Sequence, residues 1–199
     1  MQNPIAIDRG QLVTGDTGKA DGEFHRYDSS AATGVSLRSV PGTKHGQYYA
    51  NSYEHDGTGH MTDDATKRKQ MADKRLRKFT AIVQDILPPV TTGDQDADIT
   101  FVTWGTTRGP VTAASDLLRA KGKKVSMVSF PWVFPFPVAV TIALLAKAKR
   151  VIDVEQNATA QLAQLIHSET GIAITERILK YDGRPLLPEE IAEQAVRSI

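Results

Sequence analysis

The sequence predicts an α/β domain with a mostly parallel sheet, helices on both of its faces and an irregular N-terminal arm. Three observations carry this expectation. From Asp98 onward, short apolar runs alternate with helical stretches of roughly ten residues, the pattern of strands joined by crossover helices. Glycine and proline punctuate the boundaries between those runs. The first sixty or so residues carry most of the fifteen glycines and few aliphatic runs, so they read as a separate, loop-rich segment. The expected division is residues 1–61 as arm or linker and residues 62–199 as the α/β domain.

Within the arm, short strands are expected near 24–27, 35–37 and 47–49. A helix follows. Thr62 is placed to cap it, and Asp63 and Asp64 suit the positive end of its dipole. Ala72, Leu76, Phe79, Val83 and Ile86 then recur at spacings of four and three, one apolar stripe that Pro88-Pro89 ends.

Ile99–Trp104 is an apolar strand running into Gly105-Thr106-Thr107-Arg108-Gly109-Pro110. Pro110 fits the first position of the next helix, with Val111, Ala114, Leu117 and Leu118 as its buried face and Gly122 as its stop. Residues 124–130 form the next strand, 138–148 a helix and 150–154 a third strand. A helix over 159–168, with Leu162, Leu165 and Ile166 inward, precedes a fourth strand within 171–178. A C-terminal helix over 188–199 carries Glu189 and Glu190 in its first turn.

Composition excludes several classes. The 199 residues are 40% hydrophobic and 24% charged with a formal net charge of +1, so no global field draws the chain to nucleic acid or membrane. There is no cysteine, hence no disulfide, no thiolate-held iron–sulfur cluster and no cysteine nucleophile in this chain. The N-terminal residues lack the pattern of a signal peptide. The one long apolar stretch, residues 127–146, is interrupted by Pro131, Pro135 and Pro137, against a membrane-spanning helix. A cytoplasmic location is the resulting expectation.

Four motifs are candidates for function. The Gly105-Thr106-Thr107-Arg108-Gly109 turn joins a parallel strand to a helix, where free backbone N–H groups and Arg108 can hold an anion. Its spacing matches neither a phosphate-binding nor a dinucleotide fingerprint, and a tight packing turn is the competing reading. The second candidate is the polar, glycine-rich stretch containing Arg38, His45, Glu54, His55 and Asp56, with His60 beyond. Its flexibility argues against preset metal-ligand geometry and for an active-site or interface loop. The third is the basic helix face of Lys67, Arg68, Lys69, Lys74, Arg75, Arg77 and Lys78. It lacks the aromatic interleaving of a single-strand binder, and a solvated or subunit-paired face explains it better. The fourth is Val154-Glu155-Gln156-Asn157 at a strand's carboxyl end, near Gln161, where function and helix capping by Asn157 or Thr159 compete.

Taken in order, these residues resemble the alpha chain of 2-oxoacid:ferredoxin (acceptor) oxidoreductases. The resemblance rests on Val35–Gly42, on Tyr53-Glu54-His55-Asp56 with Gly59, and on Arg68, Met71, Lys74-Arg75 and Lys78. It continues through Trp104–Pro110, Pro135-Phe136-Pro137, Val154–Asn157 with Gln161-Leu162, Glu169-Thr170-Gly171 and Lys180–Pro185. It covers nearly the whole chain from Phe24. Gly57 and Thr106 are mild departures, standing where an acidic residue and a serine are common.

The resemblance implies oxidative decarboxylation of a 2-oxoacid, with 2-oxoglutarate favoured, to an acyl-coenzyme A. It implies thiamine diphosphate with Mg, an iron–sulfur cluster and coenzyme A for the whole complex, none bound by this chain alone. The implied partners are a beta subunit, the front half of the alpha chain and, through the complex, ferredoxin, in an oligomer. That front half carries a Tyr-Pro-Ile-Thr-Pro motif absent here. The chain starts where the family's interdomain linker would lie, so an excised fragment or a naturally split subunit is expected, inactive alone and transketolase C-terminal-like in fold. The alternatives are a structural oligomerisation domain and a stand-alone anion- or nucleotide-binding module.

Overall fold

The computed structural model describes residues 7–17 and 23–197. The chain divides into two compact units, Met1–Asp85 and Ile86–Ile199.

In the first unit, β1 (Leu12–Val13) pairs in parallel with β2 (Arg38–Ser39), and the long helix α1 spans Ala65–Asp85. None of the strands expected at 24–27, 35–37 and 47–49 forms; these stretches are turns and irregular backbone. The boundary expected at residue 61 and the compact units differ, because α1 is tied to the arm preceding it. Lys74 Nζ donates to the Gly34 carbonyl at 3.0 Å and Arg77 Nη2 to the Ser29 carbonyl at 2.5 Å. For the same reason the side of α1 that is buried carries Met71 and Lys74, while Leu76 and Val83 of the expected apolar stripe are 63% and 49% exposed. Asp64 rather than Thr62 caps the helix: its Oδ1 accepts the Lys67 N–H at 2.8 Å.

In the second unit five strands form one sheet in the order β3-β5-β4-β6-β7. They are β3 (Val90–Gly93), β4 (Ile99–Trp104), β5 (Val125–Phe130), β6 (Val151–Glu155) and β7 (Glu176–Leu179). All pairings are parallel except β3 with β5, an antiparallel edge that the sequence pattern did not reveal. All four β3 residues are exposed, so the strand has no buried face to create an apolar pattern.

The helices are α2 (Arg108–Ala120), α3 (Val138–Leu145), α4 (Gln161–Thr170) and α5 (Pro188–Arg197). On one sheet face, Phe101, Met127 and Val154 pack with Val111 and Leu118 of α2 and Ile191 of α5. On the other, Val102, Val128 and Phe130 pack with Leu145 of α3 and Leu162 and Ile166 of α4. Both faces are covered, in keeping with the burial of successive residues along β4, β5 and β6. Leu117, expected inward, is 38% exposed, and α2 begins at Arg108, so Pro110 is its third residue. That position is still in the first turn, where the missing N–H has no helical acceptor to lose. Gly122 ends α2 with φ +77, a left-handed conformation that glycine adopts without steric cost.

Candidate functional site

Two places gather the residues singled out by the sequence, one in each unit. In the first unit the chain from Arg38 to His60 folds into stapled loops. Arg38 sits in β2, opposite Leu12, and its Nη2 donates to the Arg9 carbonyl at 3.3 Å. Ser39 Oγ donates to the Gly46 carbonyl at 2.5 Å, closing the Pro41–Gly46 loop on itself. His45 holds the left-handed conformation at φ 56, with Nδ1 3.1 Å from Asp16 Oδ1; Lys44 Nζ lies 3.1 Å from the other oxygen. This loop walls a concavity of about 470 Å³ lined by Ser39, Thr43, Lys44, Gln47 and Tyr48, among others.

Glu54, His55 and Asp56 lie further along, against α1. Arg75 bonds both Glu54 oxygens, at 3.0 and 2.6 Å, and this hydrogen bonding holds the Glu54 carboxyl below its ordinary range. Asp56 Oδ1 accepts the backbone N–H groups of Thr58, Gly59 and His60, each at 3.1 Å. Burial raises the Asp56 carboxyl, but hydrogen bonds from Thr58 and the backbone outweigh it and the net shift is downward. The His55 ring stacks on Tyr27 at 5.1 Å, and its Nε2 is buried without a hydrogen-bond partner among the described residues. A second hollow of about 330 Å³, lined by Phe24, Tyr49, Thr58 and His60, shares Gln47 and Tyr48 with the first.

The five arm candidates therefore divide between two loops, Arg38 and His45 in one and Glu54, His55 and Asp56 in the other. The shared walls, Gln47 and Tyr48, were not singled out by the sequence, although the Tyr48-Tyr49 pair in a glycine-rich stretch is a signal for them. Arg26 was missed as well; its guanidinium lies 5.4 and 5.5 Å from the ring centroids of Tyr27 and Tyr48. The basic face of α1 is drawn into this framework. Lys67 lies 3.5 Å from Asp56, and Lys74, Arg75 and Arg77 bond the arm as described.

In the second unit the Gly105–Gly109 turn lies at the carboxyl end of β4. Gly105 has φ +58, and a three-residue 3-10 turn leads into α2. Thr107 is buried, touches Thr103 Oγ1 and donates from Oγ1 to the Trp104 carbonyl at 2.6 Å; Thr103 Oγ1 in turn donates to Val154 O at 3.1 Å. Gly105, Thr106, Arg108 and Gly109 are exposed. Arg108 makes no side-chain hydrogen bond or ion pair among the described residues, leaving its guanidinium available beside the helix N-terminus. Thr107 is thus a packing residue, and the other four form the surface.

Glu155 ends β6 in the same region and is 0% exposed. Its carboxylate accepts the N–H groups of Leu162 and Ala163 in the first turn of α4, and the side chains of Trp104 and Asn157. Asn157 Oδ1 accepts the Thr159 and Gln161 N–H groups. Between the capping and functional readings of this motif, the geometry gives Glu155 and Asn157 capping roles.

The chain has no cysteine to ligate a cluster, and among the described residues no three metal-ligating side chains converge. The described residues offer no ligand set for an iron–sulfur cluster or a resident metal ion. Among the described residues no helix is long and apolar enough to cross a membrane.

Residues 97–191 match the family described as pyruvate:ferredoxin oxidoreductase core domain II. The chain is 34% identical over 191 residues to subunit alpha of 2-oxoacid:ferredoxin oxidoreductase 2 from Aeropyrum pernix, covering 94% of this chain and 29% of that protein. It is 26% identical to 2-oxoglutarate oxidoreductase subunit KorA from Mycobacterium tuberculosis, over 84% of this chain and 25% of that protein. Among solved structures, a 2-oxoglutarate:ferredoxin oxidoreductase from Magnetococcus marinus, with 2-oxoglutarate, coenzyme A and succinyl-CoA bound, superposes with TM-score 0.74 and 30% identity. That match covers 92% of this chain and 32% of the other. The chain thus spans about a third or less of the length of these relatives. Along nearly all of its own length, in both sequence and structure, the chain is similar to one part of 2-oxoacid:ferredoxin oxidoreductase alpha subunits.

Proposed function

We propose that this chain is the part of an oxidoreductase alpha subunit that braces the assembly and shapes the surroundings of its active site. In that reading the assembly oxidatively decarboxylates a 2-oxoacid to an acyl-coenzyme A. 2-Oxoglutarate is the favoured substrate, because both KorA and the Magnetococcus marinus structure carry that substrate in their descriptions. Thiamine diphosphate with Mg, and the iron–sulfur cluster, are held outside this chain, which has no cysteine and, among its described residues, no converging metal-ligating side chains. When bound, the thiamine cofactor supplies the carbanion chemistry of decarboxylation, and the cluster carries the electrons to ferredoxin. A beta subunit and the front half of the alpha chain are the partners, in a cytoplasmic oligomer.

This chain's contribution is positional. The observation that carries the reading is the loop-walled concavity of about 470 Å³ between Ser39 and Ala50. Its hydroxyl, amide and ammonium groups, from Thr43, Gln47 and Lys44, suit an anionic, hydrogen-bonding ligand such as a 2-oxoacid or part of coenzyme A. Arg38 adjoins it in sequence, and the exposed Arg108 turn is a separate cationic surface on the other unit.

The test is steady-state kinetics on the complex reassembled with its beta subunit and remaining alpha segment, comparing wild type with Arg38→Ala and His55→Ala. Turnover or KM for 2-oxoglutarate or coenzyme A is expected to change by tenfold or more (about 1.4 kcal/mol) while the chain stays folded. Wild-type kinetics in both variants would remove these loops from the active site.

A further inference from the structure

Trp104 and Glu155 are the last residues of β4 and β6, and the indole Nε1–H donates to Glu155 Oε2 at 2.9 Å. Asn157 Nδ2 donates to the same oxygen at 2.7 Å. The other oxygen accepts the Leu162 and Ala163 N–H groups at 2.8 and 3.4 Å. Four donors converge on one fully buried carboxylate, and each favours its charged form. Both oxygens of Glu155 are therefore matched by donors.

Two residues back, Asp153 is also 0% exposed, yet neither of its oxygens has a hydrogen-bond partner among the described residues. Strand alternation puts it on the same sheet face as Glu155. Val102 of β4 and Arg177 of β7 flank it in register, and that face is covered by Leu162, Ala163 and Ile166 of α4. The charged groups that act on it are Glu155 and Arg177. Arg177 is exposed and its Nε donates to the Ile174 carbonyl at 3.2 Å, so it does not neutralise Asp153 directly. A bare carboxylate here would be buried beside another carboxylate with no donor of its own, an arrangement that burial strongly disfavours. The acid form removes that charge and gains an O–H donor, and Glu155 is the acceptor beside it.

We propose that Asp153 and Glu155 form a carboxyl pair holding one proton, carried by Asp153, and that this pair positions Trp104 and the Gly105–Gly109 turn that follows it. Both are positioning residues. Glu155 fixes the indole and the first turn of α4, while the neutral Asp153 lets the Glu155 anion persist without a like charge behind it. A cavity of about 290 Å³ at this edge depends on the same fixture, since two of its walls, Trp104 and Leu162, are bonded to Glu155. Burial, followed by Glu155, pushes the Asp153 carboxyl up to about 8, so loss of the proton falls in an accessible alkaline range. The inference goes beyond the functional reading and does not depend on which ligand the turn takes.

The test is NMR on the full 199-residue chain, following the Trp104 indole N–H resonance from about pH 6 to about pH 10. A Trp132→Phe variant assigns the signal. A one-proton shift with a midpoint near 8 is expected. Asp153→Asn should abolish that step while keeping the neutral-pH resonance position, and Glu155→Gln should displace the resonance at every pH. An absent alkaline step in the wild type, or an identical step in Asp153→Asn, overturns the proposal. Should Asp153→Asn not fold, the wild-type Asp153 side-chain 13C shift at neutral pH decides. A protonated-acid shift supports the pair, and a carboxylate shift overturns it.

Discussion

Arg75 of α1 grips Glu54 through two hydrogen bonds, Nη1 to Oε1 at 3.0 Å and Nη2 to Oε2 at 2.6 Å. The contact crosses 21 residues of sequence and fixes the loop that carries His55 and Asp56 onto the helix. Glu54 has only 10% of its side chain exposed, whereas Arg75 retains 52%. Such a two-pronged pair specifies geometry more than it adds stability, because solvent screens the exposed partner.

Arg75→Ala is accordingly expected to destabilise the chain by only about 1 kcal/mol in urea unfolding. The Glu54 carboxyl is held below its ordinary value, so this contribution is present above the unfolded-state pKa and is lost as pH falls through the folded one. The difference between wild type and variant should therefore shrink in acid. A difference that stayed constant down to strongly acid pH would show that the pair is not its source.

Gly34→Ala tests the docking of the arm on α1. Gly34 has φ +75, and an added methyl would collide with the Lys74 carbonyl oxygen and crowd the Lys78 side chain. The left-handed backbone alone costs a non-glycine residue about 1–2 kcal/mol, and the backbone contact cannot move aside. A loss of about 2 kcal/mol or more is expected. An unchanged urea midpoint would mean that the turn at residues 31–34 does not dock there.

Asp153 gives the opposite pH dependence to Glu54. Its folded pKa, raised to about 8 chiefly by burial, lies above the ordinary unfolded-state value. Between those two values the unfolded chain has lost a proton that the folded chain keeps. Stability from this group is therefore full in acid, falls as pH rises and levels off beyond about 8. The slope is at most about 1.4 kcal/mol per pH unit. Asp153→Asn should flatten it, so thermal melts at pH 6 and 9 (roughly the two sides of the upper limit) should differ less in the variant.

Arg108→Ala separates a surface role from a packing one. The guanidinium is exposed and makes no side-chain bond among the described residues, so stability should change by less than about 0.5 kcal/mol. Turnover of the reassembled complex should fall nonetheless. Thr107→Val should do the reverse, destabilising the edge through loss of the Thr107–Trp104 hydrogen bond.

Several features of the fold are legible residue by residue. Ile99–Trp104 and Val125–Phe130 read as buried parallel strands because every residue but Trp104 is buried, and the only polar residues among them are the small Thr100, Thr103, Ser126 and Ser129. The Gly122 stop follows from its positive φ, which few other residues tolerate. The exposed turn around Arg108 was readable because strand, glycine and helix follow one another directly in the chain. By contrast, Leu76 and Val83 have helical spacing but lie exposed, while Lys74 is buried. Periodicity locates a helix and its stripes, not which stripe is covered once another segment bonds to a different side. Burial holds the Lys74 ammonium below its ordinary pKa, helped by nearby Lys78 and Arg26, and composition gives no sign of that.

The sequence by itself determined the α/β class, the order of the helices and parallel strands, and the absence of any thiolate chemistry, since these follow from local periodicity, turn residues and composition. Only the tertiary structure decided the antiparallel β3 edge, the joining of α1 to the arm, the division of the Arg38–His60 candidates between two loops, and the Glu155 anchor. The reason is one of range. The Trp104–Glu155 bond joins residues 51 apart, and Lys74 reaches Gly34 across 40. Contacts at that separation leave no period in the chain, because they are set by where whole elements pack.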